Sequence, residues 1–559
     1  MRPSSVLAWG TLPLAVLGRS LTMNSTYNNP IIPGWNSDPS CTYVADKYDA
    51  FFCVTSTFLA FPGLPVYASK NLMNWKLASN AFSRPSQVPW IASSPAQADG
   101  IFAATIRYRK GVFYVITVYL GTTTDVLKGL IFTTENPYDD KAWSEPVVFD
   151  SKRIDPDIFW DDDGQPYVAL SSGDIAKLDI QKGTLGPLIR AWPGTGGVWP
   201  EGPHIYKKDG YYYMLLAEGG TELGHMVTIA RSKNITGPYE GYKNNPILTN
   251  RNTTEYFQTI GHADLFQDKL GQWWGVALAT RGGKDWVNYP MGRETVLYPV
   301  TWEKDQWPVL EPVRGKMSGW PLPPSNSSLP GNHSFINDPD VVDFLPGSSL
   351  PGHFVHWRFP KAGSVTVSPP SHPNTLRLTP SKSNLTSSSA INVTDGITLV
   401  MRRQTDTLFD FNVDVSFSPT VQDEEAGITI FLTQEQHIDL GIVLLPTNSS
   451  STSGGSKLTP HLRLRTTADA KDSSVAPLTR SRPISEEWLG KPIRLNIQAF
   501  NETHYSFSAA SSADVTTIHS FGIAPATIFS GGAGKFTGRK SFHHALMRRY
   551  LIFVAWLLK

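Results

Sequence analysis

Three carboxylic acids each stand just before a run that reads as a strand leading into a hairpin. They are Asp38 in Ser37-Asp38-Pro39-Ser40, Asp155 in Ile154-Asp155-Pro156-Asp157 and Glu201 in Pro200-Glu201-Gly202-Pro203. Cutting a glycosidic bond takes two carboxyl groups, one to protonate the departing oxygen and one to act as base or nucleophile. The proton donor must keep its proton near neutral pH, and a third carboxylate beside it raises its pKa by like-charge repulsion. Any one of these acids alone reads equally well as a turn cap. Three at corresponding places in a repeat do not, because acids brought together without counter-charge cost stability.

The repeat is a polar turn, usually with glycine, followed by a bulky run. It occurs as Asp49-Ala50-Phe51-Phe52, Gly111-Val112-Phe113-Tyr114, Gly164-Gln165-Pro166-Tyr167, Gly210-Tyr211-Tyr212-Tyr213 and Gly271-Gln272-Trp273-Trp274. Short strand-like runs and turns lie between, with no long amphipathic helix. A period of about 40–50 residues with four strands per unit is that of a propeller blade. Five markers predict a five-bladed β-propeller over residues 23–318. Nine positions before the glycine markers stand Phe102, Asp155, Glu201 and His262, and Asp38 stands eleven before Asp49. The first strand of each blade lines the central channel, so these five side chains are predicted to converge on one polar pocket.

Phe102 reads as a wall of that pocket, or as simple packing. His262 reads as a group that orients a carboxylate or ligates a metal, or as a channel histidine with no chemical role. Cys41 and Cys53 are remote from it in sequence, against a zinc site of thiolate type. The chemistry itself requires no cofactor; a structural calcium in the channel is the one metal expected. The acidic run Asp161-Asp162-Asp163 directly precedes Gly164 and reads as a solvated turn.

A chain of 559 residues exceeds one ordinary core. A net charge of +1 with 17% charged residues gives no reason to expect a polyanion partner such as nucleic acid. The 17 Trp and 20 Tyr suit stacking on sugar rings, although β-rich cores also favour aromatics. Residues 319–351 are rich in Pro, Ser, Gly and Asn and read as a linker. Alternation in Phe411-Asn412-Val413-Asp414-Val415 and Gly427-Ile428-Thr429-Ile430 predicts a β-sandwich over 352–538, so the chain is all-β. Cys41 and Cys53 flank a hairpin, and both a disulfide and two buried thiols fit that placement.

Residues 1–22 open with a positive charge before an apolar stretch, as a signal peptide does. Glycosylation sequons begin at Asn24, Asn234, Asn252, Asn326, Asn332, Asn384, Asn392, Asn448 and Asn501, and together they point to a secreted, extracellular glycoprotein. The tail, 539–559, ends in the apolar run Tyr550-Leu551-Ile552-Phe553-Val554-Ala555-Trp556-Leu557-Leu558, shorter than the roughly 20 residues that span a bilayer. It reads as an altered exon end, with a membrane-surface tail as the alternative, and no transmembrane span is expected.

Together these residues resemble glycoside hydrolase family 43, the five-bladed β-xylosidases and α-L-arabinofuranosidases. The likeness runs through Asn29 to Ser40, Ile154 to Phe159, Glu201 to Tyr206, Gly261-His262-Ala263-Asp264 and Met291-Gly292-Arg293-Glu294-Thr295. It implies that Asp38 is the general base, Glu201 the general acid, Asp155 the residue that tunes and orients that acid, and Arg293 a contact to sugar hydroxyls. It implies an inverting, exo-acting enzyme that releases terminal arabinofuranose or xylose from plant arabinoxylan or xylo-oligosaccharides. The second domain resembles the concanavalin A-like sandwich of family β-xylosidases through Arg402-Arg403-Gln404-Thr405 and Glu425-Ala426-Gly427-Ile428. Two places depart from the pattern. Phe102-Ala103-Ala104-Thr105 replaces a usual Trp-Ala-Pro-Thr, and Arg539 onward replaces a final strand. A non-catalytic sugar-binding propeller would lack the acids; a retaining fructan-active propeller would place its carboxyls about 5–5.5 Å apart rather than about 6.5–9.5 Å.

Overall fold

The computed structural model describes residues 25–282, 291–324, 328–331, 333–338, 341–381, 385, 396–447, 457–468, 478–530 and 550–552. The expected signal peptide and six of the nine sequons (Asn24, Asn326, Asn332, Asn384, Asn392 and Asn448) lie outside them.

Five antiparallel sheets follow one another along the chain, as the repeat predicts. Their first strands are Ser40–Val44, Thr105–Arg109, Asp157–Trp160, Glu201–Lys208 and Thr259–Gln267. Each pairs with the strand after its marker, and two of the hairpins show why the marker is glycine. Arg109 pairs with Val112 and Lys208 with Tyr211, leaving two-residue loops. Lys110-Gly111 and Asp209-Gly210 take positive φ at both loop residues, as the turn that matches strand twist demands. The ring closes where Thr26–Asn28 pairs with Lys316–Ser318, within the 23–318 expected. Asp161-Asp162-Asp163 forms the predicted hairpin turn, with Asp161 and Asp162 bound to Lys207.

Cys41 and Cys53 are directly opposed across the first hairpin and form a disulfide, which settles the alternative left open above. Both cysteines are buried in the cluster that also holds Phe51, Tyr67 and Trp75.

Beyond the propeller, residues ahead of the sandwich strands reach back to the first blades. Trp357, Leu378, Leu399, Val400 and Met401 join the core of the first two blades, and His356-Trp357 pairs with Ala60-Phe61. The sandwich proper begins at Phe409. One sheet orders Phe409–Val415, Ile493–Ala499, His504–Ser511 and Asp514–Pro525; the other orders Thr479–Pro483, Leu458–Thr467, Gln436–Pro446, Glu425–Thr433 and Tyr550–Ile552. The atypical tail thus supplies a short edge strand beside Glu425–Thr433; the rest of 539–559 lies outside the described residues. Ile428, Ile430, Leu440, Leu464, Leu495 and Phe507 fill the space between the sheets.

The alternate positions of the second sheet carry charge. Glu425 pairs with Arg463 and, at 3.5 Å, with Arg465; Asp439 meets Arg465 at 3.1 Å and His437 at 2.9 Å. Phe431 packs on Trp357, Gln434 accepts from Arg358 at 2.5 Å, and the Gln434 N–H donates to Gln97 at 3.1 Å. These contacts seat the sandwich on the His356–Arg358 segment and on the loop that leads into the second blade.

Candidate active site

The sheet register shows how five strands aim their side chains at one axis. Ser40, Thr105, Asp157, His204 and Asp264 occupy equivalent places, opposite Val54, Ile116, Ala169, Leu215 and Val276 of their partner strands. Two residues earlier in each blade come Asp38, Ala103, Asp155, Gly202 and His262. Four of these share the left-handed conformation: Asp38 at φ 55°, Asp155 at 56°, Gly202 at 56° and His262 at 49°. Such backbone is unfavourable for non-glycine residues and collects at functional sites. Counting back from the glycine marker therefore placed Glu201 and Phe102 one residue off the true repeat. The second and fourth blades close in shorter hairpins, and a bulge between Glu201 and His204 re-aims the strand. Gly202 is needed at its place: a Cβ there would come within 2.8 Å of the His262 ring.

Below the three acids the axis is closed by Arg107, to which the sequence reading assigned no role. The Arg107 guanidinium lies 2.8 Å from Asp157 and 2.8 Å from Asp264, and donates to Ser40 Oγ at 3.1 Å. Tyr206 Oη donates to Asp264 at 2.8 Å, and the Ile205 N–H to Asp157 at 2.8 Å. Burial works against charge on Asp264, but Arg107 outweighs it and holds the carboxyl far below the usual range. With His204 Nδ1 of the fourth blade 3.0 Å from the same guanidinium, one cation ties all five blades together. Among the described residues no group of three or more His, Cys, Asp or Glu is placed to hold a metal.

Above Arg107 the predicted residues come together. Asp38 is 5% exposed and accepts from Ser56 Oγ at 2.8 Å. His262 Nδ1 lies 3.5 Å from Asp38, and Arg293 Nη1 lies 3.8 Å from the same oxygen. Asp155 accepts from the Gly202 N–H at 3.2 Å, so its carboxylate is fastened to the backbone next to Glu201. Burial first, then repulsion from Asp38, pushes Glu201 up to about 7 against the pull of Arg293. Asp155 is raised as well, chiefly by burial, with Glu201 and Asp38 adding to it and His262 opposing. Asp155 and Glu201 thus bind protons as an interacting pair. A carboxylic acid that keeps its proton near neutrality, beside a carboxylate faced by a guanidinium and an imidazole, is equipped for general acid–base work.

Phe102 is buried and packs on Phe58 with ring centres 4.9 Å apart; Phe58 packs on Trp35, over which the Arg293 guanidinium lies at 5.6 Å. The altered wall residue therefore backs the aromatic stack that carries Arg293. His225 escaped the sequence reading. It sits against Gly261, and burial, with His262 and Arg293 nearby, keeps it neutral. Ser56 escaped it too, since a serine after a strand carries no chemical signal.

Replacing Asp155 by Asn should move the alkaline limb of the pH–rate profile to lower pH. Glu201 must be protonated to act as an acid. Removing a neighbouring negative charge stabilises its anion, so its proton leaves at lower pH. An alkaline limb that stays in place at wild-type rate would refute the coupling.

The model of the family described as glycosyl hydrolases family 43 matches residues 27–308, and that of the β-xylosidase C-terminal concanavalin A-like domain matches 342–541. The chain is 37% identical to a non-reducing end α-L-arabinofuranosidase of Bacteroides ovatus over 74% of this chain and 75% of that one. It is 35% identical to a xylosidase/arabinosidase of Butyrivibrio fibrisolvens, over 74% and 80%. Among solved structures, a xylan β-1,4-xylosidase from Bacillus halodurans superposes with a TM-score of 0.75 at 26% identity, covering 95% of this chain and 96% of the other.

Proposed function

From the premise that this chain is a glycosidase belonging to glycosyl hydrolases family 43, we propose that it removes a terminal pentose, α-L-arabinofuranosyl or β-D-xylosyl, from arabinoxylan or xylo-oligosaccharides with inversion at the anomeric carbon. The observation that carries the reading is Glu201 held protonated to about 7 beside Asp38 and Asp155. Asp38 takes a proton from water as that water attacks the anomeric carbon, and Glu201 gives its proton to the departing oxygen. Asp155 keeps the Glu201 proton in place through its charge and through the Gly202 N–H. Arg293, with His262, steers Asp38 and meets sugar hydroxyls at the buried end of the site.

Secretion as a glycoprotein is part of the same reading. The disulfide suits an oxidising compartment, and the three described sequon residues, Asn234, Asn252 and Asn501, are all exposed. Among the described residues no helix is long and apolar enough to cross a membrane.

Aryl β-D-xylopyranoside and aryl α-L-arabinofuranoside, followed by proton NMR from the first turnovers, test the proposal. The first-formed sugar should carry the anomeric configuration opposite to the substrate's. On arabinoxylan, free pentose should be released from the earliest times. Net retention would overturn the mechanism, and long oligosaccharides appearing first would overturn the exo mode.

A further inference from the structure

Immediately before the proposed proton donor runs a loop whose construction exceeds what a connection needs. Glu218, 0% exposed, ends the strand that pairs with Glu201 and turns its carboxylate into this loop. It accepts from the Thr195 N–H at 2.8 Å, Thr195 Oγ1 at 3.0 Å, the Gly197 N–H at 2.8 Å and Thr228 Oγ1 at 2.7 Å. Two backbone bonds fix the loop further along: the Gly219 N–H donates to Val198 O at 2.8 Å, and the Ser172 N–H to Pro200 O at 2.6 Å. What this rigid loop presents is apolar. Val198 is 62% and Trp199 44% exposed. Trp199 also takes φ 55°, a left-handed conformation unfavourable for a large side chain. Strain of that kind persists where surrounding bonds impose it, and it marks places where a side chain's aim matters.

The position defines what could lie there. Glu201 must face the leaving oxygen, so the sugar on the far side of the scissile bond extends from Glu201 away from the buried Arg293 end, towards solvent. Trp199 is two residues from Glu201, within roughly 7 Å along the backbone. A pyranose ring has an apolar face that an indole covers, and a rigid aromatic supplies that area at little entropic cost.

We propose that Trp199 is the stacking platform of the leaving-group subsite, held by Glu218, and that it takes the xylopyranosyl ring from which the terminal pentose is cut. The inference rests on the assignment of Glu201 as the proton donor. The loop is fixed before substrate arrives, so the platform is pre-organised and favours leaving groups that carry a ring.

The test compares, for each variant, kcat/KM on xylobiose with kcat/KM on methyl β-D-xylopyranoside, and on an arabinofuranosyl-xylo-oligosaccharide with that on methyl α-L-arabinofuranoside. Each pair shares its glycone and an alkoxide-type leaving group, and only the oligosaccharide offers a ring to stack on. Trp199→Ala should lower the oligosaccharide-to-methyl ratio about tenfold, the effect of losing one good apolar contact. Trp199→Phe should keep the ratio within about threefold of wild type. Because the readout is a ratio within one preparation, partial misfolding cancels. If the Ala variant does not fold, Trp199→Leu, which fills volume without a flat face, should show the same fall. Equal loss on both substrates, or no loss, would overturn the platform. A wild-type enzyme inert on both members of both pairs would instead sink the substrate reading, and the platform with it.

Discussion

Asp38→Asn and Glu201→Gln should each lower kcat by roughly 10³–10⁴, the scale of a lost general base or acid. Both substitutions keep size and shape, so the loss reports chemistry. Asp38 is buried against Ser56, Arg293 and His262, and its amide could still take the Ser56 hydrogen bond but could not accept a proton from water. Gln at 201 could not protonate a leaving oxygen. The Glu201 variant should recover much of its rate on substrates whose leaving group is already a weak base, such as dinitrophenyl glycosides, because those need no proton. The Asp38 variant should recover little, because water must still be activated. The Glu201 variant should melt no lower than wild type, since burial and Asp38 already disfavour the anion that the change removes. Kinetics on mononitrophenyl and dinitrophenyl glycosides separate the two roles. A Glu201→Gln enzyme equally impaired on both leaving groups would defeat its assignment as the acid.

Arg107→Met should be the most destabilising single change in the propeller. It strands Asp157 and Asp264, both fully buried, without the guanidinium that lies 2.8 Å from each. Removing one partner of a buried ion pair costs about 3–5 kcal/mol. For a domain of this size that corresponds to a fall of very roughly 10 °C in melting temperature. The pH dependence carries the signature. Asp264 is held below its unfolded pKa, so its pairing contributes stability above the ordinary carboxylate range, and that contribution is lost as pH falls towards its folded pKa. In the variant the depression disappears. The deficit should therefore be largest near pH 7 and shrink on acidification below about pH 4. Thermal melts of both proteins at about pH 7 and about pH 2.5, either side of the ordinary carboxylate pKa, check this. A deficit independent of pH would mean that Arg107 acts through packing alone.

The propeller was legible because its blades repeat. Bulky runs after turn glycines declare five hairpins, and a side chain just before the first strand of a hairpin must point at the axis whatever the loops do. That put Asp38, Asp155, Glu201 and His262 in one place before any coordinates. The same counting slipped by one residue at Glu201 and Phe102. Hairpin length is settled by pairing across the sheet, which a count along one strand does not see. The second domain was legible only in kind. Alternation announces a sandwich, but Phe354, Trp357, Phe359, Leu378, Leu399, Val400 and Met401, which precede its strands, pack on the first two blades.

Taken alone, then, the sequence determined the class of fold, the number of blades and the three acids, since these follow from periodicity and from side-chain type. The tertiary structure alone decided what each acid experiences. The rise of Glu201, the hold of Arg107 on Asp157 and Asp264, the pairing of Cys41 with Cys53 and the exposure of Trp199 depend on neighbours brought from distant strands. Electrostatic work scales with distance and burial rather than with position along the chain, so a pKa, an ion pair or a stacking surface exists only once the ring of blades has closed.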